Sequence, residues 1–206
     1  MMFSTHTSFT QLGFRTDTPL PTAWTIFWKI IVFAILEDFY NYWIHRLLHW
    51  KVIYKYVHRL HHEIATPIAF SSEYVHPIET FVVGLGTFLG PFLLTRHLLT
   101  FWVWIAVRTM QSVECHLGYD LPLSLTSWIP FWGGPVHHDF HHIKPDCNYS
   151  TFFTIWDWVF GTDIKFREAQ HIKYITGKSS WSDIIYKLGL ASYVNNSQSE
   201  KEKKGN

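Results

Sequence analysis

Two long apolar stretches set the pattern of the chain. Residues 24–44 are mostly bulky apolar side chains with three charged ones among them, and residues 78–107 carry only Glu79 and Arg96 as charges. A helix of about 20 residues crosses about 30 Å of hydrocarbon, so the first stretch suffices for one crossing. The second exceeds one crossing and is short for two. Because helical runs dominate and strand signals are weak, the pattern predicts an all-α integral membrane protein.

The composition favours a membrane location and excludes several classes of protein. Aromatic residues make up 18 % of the chain and charged residues only 16 %, whereas a typical soluble domain holds about 25 % charged residues. A formal net charge of +1 gives no basic field for a nucleic acid partner. Two cysteines are too few for a disulfide framework or a Cys-rich zinc module. The alternative is a soluble all-α protein in which both apolar stretches are buried helices.

Histidine is the unusual residue, with 14 in the chain. Nine of them form three clusters: His45 and His49; His58, His61 and His62; His137, His138, His141 and His142. Helical residues three or four apart share a face, so each cluster can direct two or three imidazoles at one point. Imidazole is the commonest metal ligand in proteins, and this many exceed what one ion takes. The clusters therefore predict two metal ions, and the alternative is a set of exposed, pH-sensitive histidines.

A shared metal centre requires an even number of membrane crossings between the second and third clusters. The turn is expected at Gly90-Pro91 or at residues 95–97, and Gly86 with Gly90 predicts a small-residue face for helix packing. One basic residue precedes Trp24, whereas four lie around the first two clusters: Arg46, Lys51, Lys55 and Arg59. The positive-inside rule therefore predicts a cytosolic, histidine-rich helical cap that holds a di-metal centre.

The chain is predicted to divide into four segments. Residues 1–20 are polar and contain no apolar core of signal-peptide length. Residues 21–166 form the membrane domain with the three histidine clusters, and residues 167–192 form a C-terminal helical extension. Residues 193–206 are poor in apolar side chains and are predicted to be a disordered polar tail on the cytosolic side.

The motifs around the histidines resemble those of the fatty acid hydroxylase / sterol desaturase superfamily, and within it the C-4 methylsterol monooxygenases. They span about residues 20 to 166, and they are Glu37-Asp38, Tyr42 to His49, Val57 to Glu63, Ala65 to Pro67, Ser72 to Pro77, Glu114 to Asp120, His138 to His142, Asn148-Tyr149 and Trp156 to Asp163. The resemblance implies a multi-pass enzyme of the endoplasmic reticulum membrane. It also implies a non-haem centre with two irons per chain and O2 as cosubstrate.

The resemblance further implies that the enzyme oxidises the C-4 methyl group of sterol intermediates in sterol biosynthesis. Electrons are expected from NAD(P)H through cytochrome b5 or its reductase, with no dinucleotide bound by this chain. The partners implied are a sterol substrate, membrane lipid and other enzymes of sterol C-4 demethylation. Carried over residue by residue, the implied metal ligands are His45, His49, His58, His61, His62, His116, His138, His141 and His142. No catalytic residue beyond the metal centre is predicted.

The sequence leaves the roles of several residues undecided, and it leaves alternatives to the function. Asp120, His76 and His137 are candidates either to bind metal or to orient a ligand, and His76 is alternatively a helix-start histidine beside Pro77. Four carboxylates are candidates to hold imidazole N–H groups: Glu37, Glu63, Glu73 and Glu79. The alternative functions are another lipid hydroxylase or desaturase of the same superfamily, or a truncated, catalytically silent membrane subunit.

Overall fold

The computed structural model of the chain describes residues 11, 13–16, 19–95, 97–119, 125 and 129–176, with the backbone alone for 171–176. Asp120, most of the polar N-terminal segment and the predicted tail lie outside the described residues. Within them the chain is helical and holds no β-strand, which confirms the predicted all-α class.

Seven α-helices follow one another in the described residues: α1 (Ala23–Leu48), α2 (Lys51–Tyr56), α3 (Pro77–Leu94), α4 (Leu98–Cys115), α5 (Pro135–Ile143), α6 (Ile155–Phe160) and α7 (Ile164–Thr176). Two short 3-10 helices, His58–Glu63 and Ala69–Glu73, connect α2 to α3. The first of these carries the second histidine cluster, and α5 carries the third.

Helix α1 begins where the Thr22 hydroxyl accepts a hydrogen bond from the amide of Thr25 at 3.1 Å, as an N-cap side chain does. Its inner face contains polar groups, because Glu37, Asp38 and Asn41 are buried there beside apolar residues such as Phe33. Its outer face is apolar and exposed, and it includes Trp24, Phe27, Trp28, Ile31, Ile35, Phe39 and Trp43. This inverted distribution, with polar groups inside and large apolar side chains outside, is expected of a helix that faces lipid.

Helices α3 and α4 form a hairpin whose turn lies between Leu94 and Leu98. Of the two expected turn positions, the one at residues 95–97 is therefore correct. Gly90-Pro91 is not a turn, because α3 continues through both residues and Pro91 lies in its last turns. The turn is fixed at His97, whose Nδ1 accepts a hydrogen bond from the Leu99 amide at 3.2 Å and caps α4.

Helix α3 is the one described helix long and apolar enough to cross a membrane by length and composition. Helix α1 is longer, at 26 residues, but the charged residues in its second half interrupt the apolar run. The multi-pass arrangement predicted from the two apolar stretches therefore stays a prediction.

The predicted small-residue face of α3 packs directly on α1. A Cβ atom added at Gly90 would lie 2.6 Å from Cδ1 and 3.0 Å from Cα of Phe33. A Cβ atom at Gly86 would lie 2.5 Å from Cδ1 of Tyr40. By contrast, a Cβ atom at Gly84 meets nothing within 4 Å. The two glycines that contact α1 thus allow the close approach of the helices, and Gly84 has no such role.

Replacing Gly90 with alanine is expected to destabilise the protein by about 1–3 kcal/mol, because the backbone of Phe33 has no room to move away. Gly84→Ala is the matched control. It should be neutral or slightly stabilising, because alanine favours a helix interior over glycine by about 1 kcal/mol. Thermal unfolding of both variants in one detergent measures the difference. Equal melting temperatures for the two variants would contradict the packing role of Gly90.

Candidate metal centre

All nine histidines predicted as ligands lie in two neighbouring groups. Within each group, the nitrogen atoms that the residues offer to an ion lie within 4.8 Å of one another. The two groups adjoin, because the ring centroids of His62 and His142 are 4.6 Å apart. The first group is His45, His49, His58, His62 and His141, and the second group is His61, His116, His138 and His142.

The structure divides two of the three sequence clusters between the groups. His58 and His62 belong to the first group, whereas His61 belongs to the second. In α5, His138 and His142 belong to the second group and His141 to the first. In the α-helix α5, side chains four apart share a helix face, and the neighbouring histidine is rotated away from that face. The second and third clusters therefore each serve both groups, rather than one point as their spacing alone suggests, whereas His45 and His49 both belong to the first group.

Five imidazoles are oriented by acceptors for their Nδ1–H groups. Four of these acceptors are backbone carbonyl oxygens: His45 donates to Tyr149 O at 2.7 Å, His141 to Cys147 O at 2.6 Å, His142 to Ile64 O at 3.0 Å and His116 to Ser112 O at 2.8 Å. The fifth acceptor is a carboxylate, because His58 donates to Glu79 Oε1 at 2.7 Å. A neutral imidazole that donates from Nδ1 keeps its lone pair on Nε2. These bonds therefore leave five Nε2 atoms available as ligands, with fixed ring orientations.

The Nε2 atoms face one another inside each group. In the first group the distance from His49 to His141 is 3.1 Å, and in the second His138 lies 3.0 Å from His116 and 3.2 Å from His142. Because the Nε2 atoms of His116 and His142 both carry lone pairs, a single proton on His138 cannot satisfy both contacts. A cation that accepts all these lone pairs resolves the conflict. Imidazole nitrogen suits iron, zinc, copper and nickel, so both groups fit a first-row transition metal.

The histidines are neutral at physiological pH. Burial lowers the pKa of His62 to about 3, of His116 to about 4 and of His142 to about 2, with neighbouring imidazoles adding to the effect. Burial also lowers the pKa of His138 and His141 well below the ordinary value. Metal ligands must be deprotonated, so the fold holds these side chains in the state that binds metal.

An irregular segment, residues 147–152, supports the first group. The carbonyl oxygens of Cys147 and Tyr149 orient His141 and His45, as described above. The far end of the segment is tied to α1, because the Phe152 amide donates to Asp38 Oδ1 at 2.8 Å. The segment therefore connects the third histidine cluster to the helix that carries the first.

The buried carboxylate of Asp157 holds the centre of this segment. It accepts hydrogen bonds from the amides of Tyr149 and Ser150, each at 2.8 Å, and from the Thr162 hydroxyl at 2.6 Å. Burial acts to raise the pKa of Asp157, but the His137 imidazole at 3.4 Å and these donors outweigh burial and lower it. The carboxylate thus stays ionised and fixes the backbone that orients His45.

The remaining candidate residues lie outside the two groups or outside the described residues. His76 caps α3 and accepts a hydrogen bond from the Ile78 amide at 3.2 Å, which is the helix-start role weighed above. His137 contacts Asp157 and joins neither group. Asp120 lies outside the described residues. Of the four candidate carboxylates, Glu79 holds an imidazole, whereas Glu37 pairs with Arg108, Nε to Oε1 at 2.6 Å.

Some residues that shape the centre were not identified from the sequence. Asp157 acts through backbone amides, and the four carbonyl acceptors belong to residues of any type. Neither kind of contact has a sequence pattern. Arg108 lies in α4 directly after the second apolar stretch, and its charge there is the one signal that could have indicated a role in the interior.

The two groups are expected to bind one metal ion each, about two per chain. His49→Ala should remove the ion of the first group and His116→Ala that of the second, so each variant should retain about one. His76→Ser is the control, because serine also caps a helix and the residue touches neither group. Elemental analysis of the purified proteins measures the ratio. Loss of both ions from either variant would show that the groups do not bind independently.

The chelator-treated protein is expected to lose stability as the pH falls from about 6.5 towards 4. Unfolded histidine binds a proton near pH 6.5, whereas the folded histidines with a lowered pKa stay neutral to about pH 4 or below. The unfolded state therefore binds more protons across this interval, at about 1.4 kcal/mol per pH unit for each such group. Thermal unfolding at several pH values measures the effect. A melting temperature that does not change across the interval would contradict it.

Comparison with known proteins gives several relatives of similar identity. A protein of Dictyostelium discoideum, named provisionally as a methylsterol monooxygenase, is 46 % identical over 165 residues, which are 80 % of this chain and 62 % of the relative. Methylsterol monooxygenase 1-3 of Arabidopsis thaliana is 42 % identical over 163 residues, 78 % of this chain and 56 % of the relative. A very-long-chain aldehyde decarbonylase of Oryza sativa subsp. indica is 41 % identical over 181 residues, 86 % of this chain and 68 % of the relative.

The chain thus spans less than two thirds of the length of the first two relatives. No solved structure matches it. The sequence profile described as fatty acid hydroxylase matches residues 30–162, which are more than half of the chain and include both histidine groups. The chain therefore belongs to the fatty acid hydroxylase family.

Proposed function

We propose that this protein is a membrane-bound, non-haem di-iron monooxygenase that oxidises the C-4 methyl group of sterol intermediates. The observation that carries the proposal is the pair of adjacent all-histidine groups, in a chain related to methylsterol monooxygenases. Two irons at this centre would activate O2 for attack on an unactivated C–H bond. The reaction inserts one oxygen atom into that bond and releases the other as water, with two electrons and two protons consumed.

The residues of this chain place, orient and shield the centre. The Nδ1 acceptors fix the imidazole rings, and Asp157 fixes the segment that supplies two of those acceptors. The ligand side chains are largely withdrawn from water, since His138 is 3 % exposed and His141 is fully buried. Exclusion of water favours the desired oxidation over the loss of oxidising equivalents to solvent.

The proposal includes the electron supply and the location. The chain contains no dinucleotide-binding fingerprint, so the electrons come from NAD(P)H through a partner, cytochrome b5 or its reductase. The exposed apolar face of α1 supports a location in the endoplasmic reticulum membrane. The exposed basic residues Lys51, Lys55 and Arg59 near the histidines support a cytosolic position for the centre. Other enzymes of sterol C-4 demethylation are the proposed downstream partners.

A second candidate function is the conversion of a straight-chain lipid, such as a long-chain aldehyde, on the same centre. The observation that favours it is the similarity to the rice protein named as a very-long-chain aldehyde decarbonylase. The two candidates share the metal chemistry and differ in the shape of the substrate. A catalytically silent subunit would bind no metal, which separates it from both candidates.

The test is expression of the chain in eukaryotic cells from which the C-4 methylsterol oxidase gene has been deleted. Such cells accumulate 4,4-dimethyl and 4-methyl sterols, and the chain is expected to remove most of this excess. The His141→Ala variant, expressed at the same level, should remove none. Sterol profiles by gas chromatography and mass spectrometry give the measurement. Unchanged sterols, with about two irons bound per chain, would overturn the sterol assignment and favour the straight-chain candidate.

A further inference from the structure

A cavity of about 260 Å³ adjoins both histidine groups. Its lining includes two residues of the first group and three of the second: His45, His58, His61, His116 and His138. A molecule in this cavity therefore lies next to both metal positions. The other walls belong to α1, α3, α4 and the second 3-10 helix region.

The cavity is a cleft that runs along α3 and α4. On α3 it is lined by Thr80, Gly84 and Thr87, which share one helix face, and this face is about 10 Å long at 1.5 Å per residue. On α4 the lining includes Ile105 and Thr109. Thr80, Thr109 and Glu73 are exposed, whereas Asn41 and His138 are buried. The cleft therefore opens along α3, α4 and the second 3-10 helix and is closed towards α1.

Hydrogen bonds fix the walls of the cleft at Arg108 and Thr87. Arg108 donates from Nε to Glu37 Oε1 at 2.6 Å and from Nη1 to Gln111 Oε1 at 3.0 Å. Thr87 donates to the same Glu37 oxygen at 2.8 Å, and this contact ties α3 to α1. Buried polar networks of this kind are rigid. The cleft therefore cannot widen at Arg108 without breaking the ion pair with Glu37, or at Thr87 without breaking its hydrogen bond to Glu37.

Gly84 is the position where the cleft has room. Glycine in a helix interior lowers stability by about 0.5–1 kcal/mol relative to alanine, so a glycine there is expected to have a structural or functional role. Gly86 and Gly90 have a structural role, because they contact α1. Gly84 does not, because a Cβ atom there would meet nothing within 4 Å, and the residue lines the cleft. The missing side chain widens the cleft midway along its α3 wall.

We propose that the cleft between α3 and α4 is the substrate site and that Gly84 determines its specificity for a fused-ring lipid over a straight acyl chain. A flat ring system needs a wider slot than a single alkyl chain, and the absent side chain at residue 84 provides that width. The substrate enters through the opening at Thr80 and Thr109 and brings its oxidisable carbon to the histidine groups. This inference rests on the proposed function and names the residue that selects the substrate class.

The test uses two variants that narrow the cleft and one that does not. Gly84→Leu adds bulk inside the cleft, and Thr80→Phe adds bulk at its exposed mouth. Leu85→Phe is the matched control, because Leu85 is the next residue on α3, is 49 % exposed and does not line the cleft. All three proteins are purified in detergent with iron bound, and metal content and melting temperature are recorded for each.

The first readout is equilibrium binding of tritiated 4,4-dimethylcholestanol, measured against a straight-chain C18 aldehyde as competitor. Gly84→Leu should weaken sterol binding at least about tenfold and shift the ratio of sterol to aldehyde affinity in the same direction. Thr80→Phe should weaken sterol binding too, and Leu85→Phe should match the wild type. The second readout is turnover, in which the loss should lie mainly in KM, because the side chain obstructs binding and does not contact the metals.

The inference is overturned if Gly84→Leu and Thr80→Phe bind the sterol as tightly as Leu85→Phe, with normal metal content. It is also overturned if Gly84→Leu weakens the sterol and the aldehyde equally, because the residue would then not select between them. Failure of the proposed function is read from the wild type alone. A wild-type protein that holds two irons and converts no sterol would refute that function, whatever the variants bind.

Discussion

The packing of nine imidazoles, seven of them buried, in two adjoining groups is the constraint on which the rest of the structure depends. Withdrawing a polar ring from water is costly unless its N–H group finds an acceptor. Five of the rings find one in Tyr149 O, Cys147 O, Ile64 O, Ser112 O and Glu79. Burial then keeps the rings neutral, and the same bonds direct the remaining lone pairs inward. Ligand orientation and protonation thus have a single physical cause.

The orientation of the imidazoles also depends on elements that do not contact the metal positions. The carbonyl groups that hold His45 and His141 belong to residues 147–152, and this segment keeps its shape through Asp157 and Asp38. Asp38 is buried on the inner face of α1, so the interior of the helical bundle contains polar groups beside its apolar core. The close contact of α3 with α1 at Gly86 and Gly90 holds this bundle together. The cleft beside Gly84 is the cavity that this packing leaves between the helices.

Much of the metal centre could be predicted from the sequence, because histidine is rare, polar and chemically specific. The helical class and the nine ligand candidates follow from periodicity and from the motifs around His45, His58 and His138. The hairpin turn was narrowed to two positions, and packing against α1 decided between them, because Gly90 is buried on α1 while residues 95–97 connect the helices. The roles of Asp157 and of the carbonyl acceptors could not be predicted, since backbone contacts leave no mark on residue type.

The sequence by itself determined that this chain is helical, that it holds nine clustered histidines and that it belongs among the fatty acid hydroxylases. The tertiary structure alone decided how the histidines are shared. His58 and His61 are three residues apart and fall into different groups, whereas His58 and His62 share one. It also decided which carboxylate holds an imidazole, since Glu79 reaches His58 only when α3 packs beside that helix. Spacing along a chain fixes which side chains can converge, and packing fixes where they do.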